Sequence, residues 1–500
     1  MRNQNQKMIH KPAVIVSLLI AAAIASPAIS SPAQVAPLSP NAVTFTTLVS
    51  FDGSNGGNPG EAPGSSLVQG TDGNLYGVTA NEGHGTFFQV TPSGSMTVLY
   101  NFCSGGGQCA DGNNPVTPLL GTDGNFYGVT GNEGAHHGGT FYKMTSAGTL
   151  TTLYNFPYIA SPNGLTLGAN GRFYGTTYGG LNKSPGTVFE ITTSGKLTTL
   201  YTFCSLPNCA DGRFPKATVI QAADGNLYGT TSVGGAYVLW GTVFKLSPNG
   251  VLKTLHSFGS LPNTADGGGP SPLIQGADGN FYGTTTTGGA YSLPDSNIGA
   301  GTVFKITPAG VLKTIYNFCA KPNCTDGASP VAGLVQASDG NFYGSTTAGG
   351  SSVNWSGTIF RLTPGGSLTT LHKLDGTDGQ SMQSGVLQAT NGVLYGTPNK
   401  GGNDSPSCYE GCGTVFSLSA GLKPFVETVE SSGKVGSFIQ ILGNGLTGAT
   451  GVTFNGVAAA FTIQSDTLIS ATIPAGATTG FVKVTTSSGT LKSNVKFQVN

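Results

Sequence analysis

The sequence predicts an all-β protein, a seven-bladed β-propeller followed by a β-sandwich, on three observations. A phrase of the form D-G-N-[LF]-Y-G recurs around Tyr76, Tyr127, Tyr174, Tyr228, Tyr282, Tyr343 and Tyr395, loosely at Tyr174 and Tyr395. Each copy sits among four short apolar stretches separated by turn residues, with no amphipathic helical period in the unit. A fourth-strand phrase missing from the last unit is found instead near the start of the chain.

Composition narrows the class further. At 500 residues and roughly 150 residues per domain, two to four domains are expected. Gly is 79 of those residues and charged residues are 9%, against usual shares near 7% and about 25%. The 38% of apolar residues is enough for a packed core. Lys+Arg and Asp+Glu balance at 22 each, so no net field draws a polyanion or a membrane surface, and nucleic-acid binding is excluded as a leading role.

Residues 1–30 read as a signal peptide. Arg2, Lys7 and Lys11 precede an apolar run from Ala13 to Ala25, with small-residue cleavage patterns ending at Ala25 and Ser30. That run is too short to span a bilayer, which needs about 20 residues. No later segment qualifies, so an exported, soluble chain is expected. The cysteines fall in local pairs, Cys103/Cys109, Cys204/Cys209, Cys319/Cys324 and Cys408/Cys412. In an exported chain such an even set predicts disulfides rather than metal ligands, because single pairs without C-x-x-C spacing cannot supply four zinc donors.

Residues 41–421 hold the repeats, with a mean period of about 53 residues, in the kelch-type range. In the unit around Tyr228 the strands are expected at Thr218–Gln221, Leu227–Thr231, Gly241–Leu246 and Leu252–Phe258. Asp224-Gly225-Asn226 and Ser247-Pro248-Asn249-Gly250 supply the turns, since Gly takes φ > 0 freely. The fourth-strand phrase L-T-T-L-Y-N-F follows six of the seven G-T-[VI]-F strands and is missing after Gly413–Leu418. Its orphan copy is Phe45–Phe51. The N-terminal strand is therefore expected to complete the last blade and close a ring, which removes exposed sheet edges.

These repeats resemble the GloVer tandem-repeat family, of the choice-of-anchor type, of exported bacterial proteins. The resemblance rests on D-G-N-[LF]-Y-G-[TV]-T, then G-G, then G-T-V-F-K-[IL]-[ST]-P-x-G-x-L-[TK]-T-[LI]-Y-N-F, across about residues 45–418. It implies secretion and a repeat architecture, and brings no activity with it. Many members end in a surface-sorting anchor, whereas no hydrophobic-plus-basic anchor is read at this C-terminus.

Residues 424–500 read as a separate module with strands at Phe438–Leu442, Val452–Phe454, Leu468–Ile473 and Phe481–Thr485. The stretches Gly436–Gly443, Val452–Gly456 and Ile473–Ala477 are similar to those of IPT/TIG domains. The resemblance implies an immunoglobulin-like sandwich serving as a spacer or docking domain.

Within a blade, D-G-N and P-x-G turns fall at one end and the variable loops at the other, where repeat scaffolds concentrate function. The variable loops carry His84, His136, Tyr178, Tyr237, Trp240, Tyr291, Trp355 and Tyr409. Flat amphipathic side chains of this kind suit stacking on sugars or partner surfaces, and equally suit packing over neighbouring blades. The Asp-Gly-Asn turns offer one Asp each, too few for a calcium loop, and Asp111, Asp211, Asp266 and Asp326 are expected to cap the crossing loops.

Catalytic patterns are thin. Arg172, Arg213 and Arg361 occupy three different places in the blade, against sialidase-like clustering. Glu82 and Glu133, beside His84 and His136, are the one carboxylate pair fit for acid–base chemistry. The expected function is thus a non-enzymatic binding protein that recognises polysaccharide or a cell-surface ligand, with no metal or cofactor. A purely structural or adhesion protein and a carbohydrate-active enzyme are the alternatives.

Overall fold

The computed structural model describes residues 43–53, 57, 59–80, 84–104, 109–179, 185–294, 296–350, 355–403, 408 and 410–500. The segment read as a signal peptide, Glu82 and Tyr409 lie outside the described residues. Among those described there is no α-helix, only four three-residue 3₁₀ turns.

Between Thr44 and Ser419 the described chain forms seven antiparallel sheets. The fourth sheet shows the rule: Ile220–Gln221, Leu227–Thr231, Thr242–Leu246 and Leu252–Ser257 pair in sequence order. Its first strand is shorter than the sequence suggests, because only Ile220 and Gln221 reach the ladder opposite Tyr228 and Leu227. In the seventh sheet the outer strand is Thr44–Ser50, paired antiparallel with Thr414–Ser419.

The repeat phrase has three packing causes. Gly229, after Tyr228, has no room for a Cβ, which would lie 2.6 Å from the Phe244 ring on the next strand. Thr231 and Thr242 face each other across the strands with hydroxyls 2.9 Å apart, both buried, so each satisfies the other. The pairs Thr79/Thr86, Thr130/Thr140, Thr177/Thr187, Thr285/Thr302 and Thr346/Thr358 do the same. Third, each repeat tyrosine lies against the residue opening the next sheet's second strand. Tyr228 stacks on Phe281 at 4.0 Å and Tyr282 meets Phe342 at 4.2 Å.

A second link joins neighbouring sheets. Gln275 Oε1 accepts from Ala223 N at 3.0 Å, Gln336 from Ala277 N at 2.8 Å and Gln388 from Ser338 N at 2.9 Å. The same contact runs from the seventh sheet to the first, where Gln69 Oε1 accepts from Thr390 N at 2.9 Å. Tyr395 likewise shares a buried cluster with Leu75 of the first sheet.

Residues 427–499 form two four-stranded sheets and a short parallel pair. Alternate residues of their strands, among them Ile439, Ile441, Val452, Phe454, Ile469, Val482 and Val484, make one buried cluster. Strands Phe438–Leu442, Ala449–Phe454, Leu468–Thr472 and Val482–Thr486 fall where the sequence places them, within one to three residues. This region packs on the Asp-Gly-Asn end of the repeats: Thr467 Oγ1 donates to Thr71 O at 2.7 Å, and Gln498 Nε2 to Ala223 O at 3.0 Å.

All four predicted cysteine pairs are bonded: Cys103 to Cys109, Cys204 to Cys209, Cys319 to Cys324 and Cys408 to Cys412. There is no free cysteine among the described residues. Disulfides in this number fit an extracellular protein. No helix among the described residues is long and apolar enough to cross a membrane.

The bridges are not four copies of one device. Cys103 and Cys109 are six positions apart, whereas Cys204 and Cys209, like Cys319 and Cys324, are five apart. What the three second cysteines share is the backbone. Cys109 O accepts from Gly112 N and Gly134 N, both at 2.8 Å, as Cys209 O does from Gly212 N and Gly235 N and Cys324 O from Gly327 N and Gly350 N. Each therefore fastens the crossing loop to the variable loop of its own sheet.

Candidate functional site

The segment that crosses from one sheet to the next ends with one residue in the left-handed region. These residues are Ala62, Asn114, Ser161, Phe214, Gly269, Ser329 and Ser381, with φ between 47° and 60°. Each is clamped by the preceding sheet: Phe214 N donates to Pro185 O at 2.9 Å, Ser329 N to Ala300 O at 2.8 Å, and Ala62 N to Cys412 O at 3.0 Å. A left-handed conformation is unfavourable for a side chain with a Cβ and unusual for a bulky one. Six of the seven are accordingly small or Asn; Phe214 is the departure.

Phe214 stands on the wall of a cavity of about 880 Å³, at the end of the repeats that carries the variable loops. Tyr178 stacks on Phe214 with ring centroids 5.1 Å apart. The Arg213 guanidinium lies 5.2 Å from the Phe214 ring centre and Lys216 Nζ 5.8 Å from that of Tyr178, within reach of cation–π attraction. Hydroxyl and amide side chains, among them Ser232, Ser271, Thr286, Thr347 and Gln383, complete the lining, which holds no Asp, Glu or His. A smaller cavity of about 290 Å³ adjoins it, sharing Gly64 and Gln383.

The segment carrying this wall is held by its backbone. Arg213 N donates to Val233 O at 2.9 Å, and the Phe214 carbonyl accepts from Ser232 N at 3.1 Å and Ser232 Oγ at 2.8 Å. Arg213 Nε is buried and has no hydrogen-bond partner.

Of the residues singled out from the sequence for ligand binding, Tyr178 alone is among the lining of this cavity. His84, His136, Tyr237 and Tyr291 are exposed on loops of the same end. Trp240 is half-buried against Phe258 and Leu273 and fills the space over Gly259 and Gly268. Trp355 is half-buried against the Cys319–Cys324 loop. None of the bridged cysteines, Cys109 included, lines the cavity. Glu133 binds His137, not His136, with Oε2 2.8 Å from Nδ1. Arg172 is paired with Glu190 on the sheet surface, and Arg361 stands opposite Tyr343 on a third strand.

The acidic turn residues are used internally. Asp224 accepts from Asn226 N at 3.1 Å, Tyr228 at 2.8 Å and Lys245 at 2.8 Å. Buried Asp211, Asp266 and Asp326 cap the crossing loops, as with Asp326 accepting from Tyr316 at 2.6 Å and Ala320 N at 3.0 Å. Asp111 does the same in the Cys103–Cys109 loop, accepting from Tyr100 and from Cys103 N, both at 2.9 Å. Among the described residues no group of three or more His, Cys, Asp or Glu stands together to hold a metal ion.

Residues 33–160, 158–324 and 293–491 match the family described as the Gloeobacter/Verrucomicrobia repeat, over most of the chain. The chain belongs to that family. The third match runs through the first of the two C-terminal sheets and most of the second, so the Gloeobacter/Verrucomicrobia repeat description is not confined to the seven repeats. No curated protein matches the chain significantly.

Solved structures that resemble this Gloeobacter/Verrucomicrobia repeat protein are β-propeller-like. Virginiamycin B lyase from Staphylococcus aureus matches at a TM-score of 0.50 and 15% identity, over 75% of this chain and 99% of its own. A streptogramin B lyase structure matches at 0.49 and 16%, over 75% and 97%. The periplasmic gluconolactonase of Pseudomonas aeruginosa matches at 0.42 and 18%, over 62% and 84%. At such identities the likeness to the first concerns the fold and carries no activity across.

Proposed function

We propose that this chain is an exported, non-enzymatic binding protein that takes a polysaccharide or cell-surface ligand on its variable-loop end. In this reading residues 1–30 direct export, the seven sheets form one closed ring of blades, and residues 424–500 are an immunoglobulin-like sandwich of the IPT/TIG type. Ring closure is supported by the seventh-to-first contact of Thr390 with Gln69, which repeats the contact between other neighbours.

The observation that carries the binding role is the Tyr178–Phe214 stack on a cavity otherwise lined by hydroxyl and amide groups. An aromatic platform beside polar donors and acceptors is what a sugar ring, with one apolar face and an equatorial fringe of hydroxyls, requires. The lining offers no carboxylate or imidazole for acid–base work, which favours binding over hydrolysis there. Tyr237 and Tyr291 stand exposed on loops of the same end.

The test is a glycan and polysaccharide binding screen on the full chain beside Tyr178→Ala. A tenfold loss of affinity, about 1.4 kcal/mol, in a variant that keeps its melting midpoint supports the cavity. Release of reducing ends during the screen, abolished by Glu133→Gln, would move the reading to catalysis.

A further inference from the structure

The seven-fold repetition makes departures from it informative. The position before the left-handed residue is Asn113, Ala160, Arg213, Gly268, Ala328 and Gln380 in six of the crossings and Glu61 in the other. Two residues beyond the left-handed one stand Gly64, Val116, Asn163, Ser271, Val331 and Gln383, and in the fourth crossing Lys216. One crossing therefore holds two cations and an aromatic where the other six hold mostly small or neutral residues. Glu61 is not among the lining of the cavity, so the cavity wall carries two positive charges and no negative one.

These cations differ from the lysines of the repeat. Lys143, Lys245 and Lys305 are each paired with the turn Asp of their own sheet at 2.7–2.8 Å. Arg213 and Lys216 have no acidic partner among the described residues, and Arg213 additionally leaves Nε buried without an acceptor. Holding a cation in a partly desolvated wall without a counter-charge costs free energy, which an incoming anion offsets. The backbone bonds on both sides of Arg213–Phe214 hold the segment that carries the guanidinium, and its place 5.2 Å from the Phe214 ring with Nε buried narrows the side chain's freedom, so less ordering is left to lose on binding. A planar fork of N–H donors matches a carboxylate or sulfate in two-point geometry.

We propose that this wall is an anion subsite, and that the polysaccharide taken by the cavity is an acidic one. A sugar ring stacks against Tyr178 and Phe214 while its carboxylate or sulfate is held by Arg213 and Lys216. The polymer part rests on the binding role argued above; the anion subsite stands on Arg213 and Lys216 themselves. The overall charge balance of the chain does not oppose this, because the two cations are concentrated on one wall.

The experiment uses the full chain, Arg213→Gln and Lys216→Gln, with polygalacturonate, dextran sulfate and neutral dextran as polymers, and galacturonate and inorganic sulfate as small probes. Binding to either acidic polymer that exceeds binding to dextran tenfold or more, and falls at least tenfold in each variant, supports the proposal. The two polymers separate carboxylate from sulfate recognition. Equal binding of neutral and acidic polymers, unaffected by the variants, overturns the anion subsite and leaves polysaccharide binding standing. If no polymer binds, the small probes decide. A rise in melting midpoint with galacturonate or sulfate that is lost in Arg213→Gln keeps the subsite without the polysaccharide, and no rise overturns it.

Discussion

The hydroxyl of Tyr228 donates to Asp224 Oδ2 at 2.8 Å while its ring lies stacked on Phe281 of the next sheet. One residue thus ties a turn to its own sheet and one sheet to its neighbour, which is why D-G-N-x-Y-G recurs as a unit. Where the phrase changes, its partners change together. In the third repeat Asn170 replaces Asp and donates to Tyr174 at 2.9 Å, Glu190 stands where three other repeats have Lys143, Lys245 and Lys305, and Arg172 pairs with it. The two functions of Tyr228 are separable. Tyr228→Phe keeps the stack and loses the hydroxyl, an expected cost of about 1 kcal/mol. Tyr228→Ala loses the stack as well and is expected to cost roughly 3–5 kcal/mol. Melting midpoints decide it, and equal losses in the two variants would show that the ring contact contributes nothing.

Acid should weaken the protein through these same turns. Burial alone would raise the carboxyls of Asp123, Asp224 and Asp278. The hydrogen bonds from Lys, Tyr and Asn together outweigh it and leave all three below the ordinary carboxylate range. A carboxyl lowered in the folded state contributes stability that is complete above the unfolded value, about pH 4, and is lost as pH falls through the lower folded value. The melting midpoint is therefore expected to drop as pH is lowered below about 4. A Lys245→Met, Lys305→Met double variant, lacking the strongest hydrogen bonds to two of these carboxyls, should start from a lower midpoint at neutral pH and lose less on acidification. Parallel curves for the parent and the variant would refute this account.

The repeat chemistry was legible because it is local. The strands at Leu227–Thr231 and Leu252–Ser257 follow from Asp-Gly-Asn and Pro-Asn-Gly turns at fixed offsets, and the cysteine pairs from their short spacing in an exported chain. The cavity wall was not. Arg213 reads as one of three scattered arginines until the fold places it over Phe214, 5.2 Å away, and beside residues from other repeats. The usable signal was register: aligned on the Asp-Gly of the crossing segment, Arg213, Phe214 and Lys216 fall where other repeats are mostly small or neutral. Trp240 shows the reverse case. Its aromatic character fitted a binding platform and packing over a neighbouring blade alike, and only the fold shows that it seats over Gly259 and Gly268.

The fourth crossing loop's successor provides a natural control for the disulfides. The turns at Pro207–Cys209 and Pro322–Cys324 are bridged, whereas Pro262–Thr264 has no cysteine, and the middle Asn of each has φ between 54° and 57°. The buried Asp holds all three, through Ser205 N at 2.9 Å, Ser260 N at 3.1 Å and Ala320 N at 3.0 Å. Replacing Cys204 and Cys209 by Ser should cost about 2 kcal/mol for so short a loop without altering the turn. Asp211→Ala, which removes a buried carboxylate and its hydrogen bonds from Tyr201, Ser205 N and Leu206 N, should cost roughly 1–3 kcal/mol and loosen it, read as faster amide exchange at Ser205. A fifth bridge from Gly259→Cys with Thr264→Cys should form only when Trp240→Ala is added, because Trp240 occupies the space a side chain at 259 needs. Efficient bridging with Trp240 in place would contradict that packing.

Glu427 makes the opposite pH prediction to the turn carboxylates. It lines a cavity of about 290 Å³ with Gln336 and Gln388 of the repeats and Asn494 and Lys496 of the C-terminal sheets. Its side chain is exposed into that cavity, and desolvation by the protein around it pushes its carboxyl up to about 7. A carboxyl raised in the folded state disfavours folding once the unfolded chain ionises, so its penalty is absent below about pH 4 and grows until pH passes the folded value. Glu427→Gln should therefore match the parent at pH near 4 and exceed it in melting midpoint at pH near 8. Asp123, Asp224 and Asp278 do not confuse the comparison, since they are the same in both proteins and are held below this window. A pH-independent difference between the two would mean that Glu427 titrates as an ordinary surface carboxylate and that the cavity is open to bulk water.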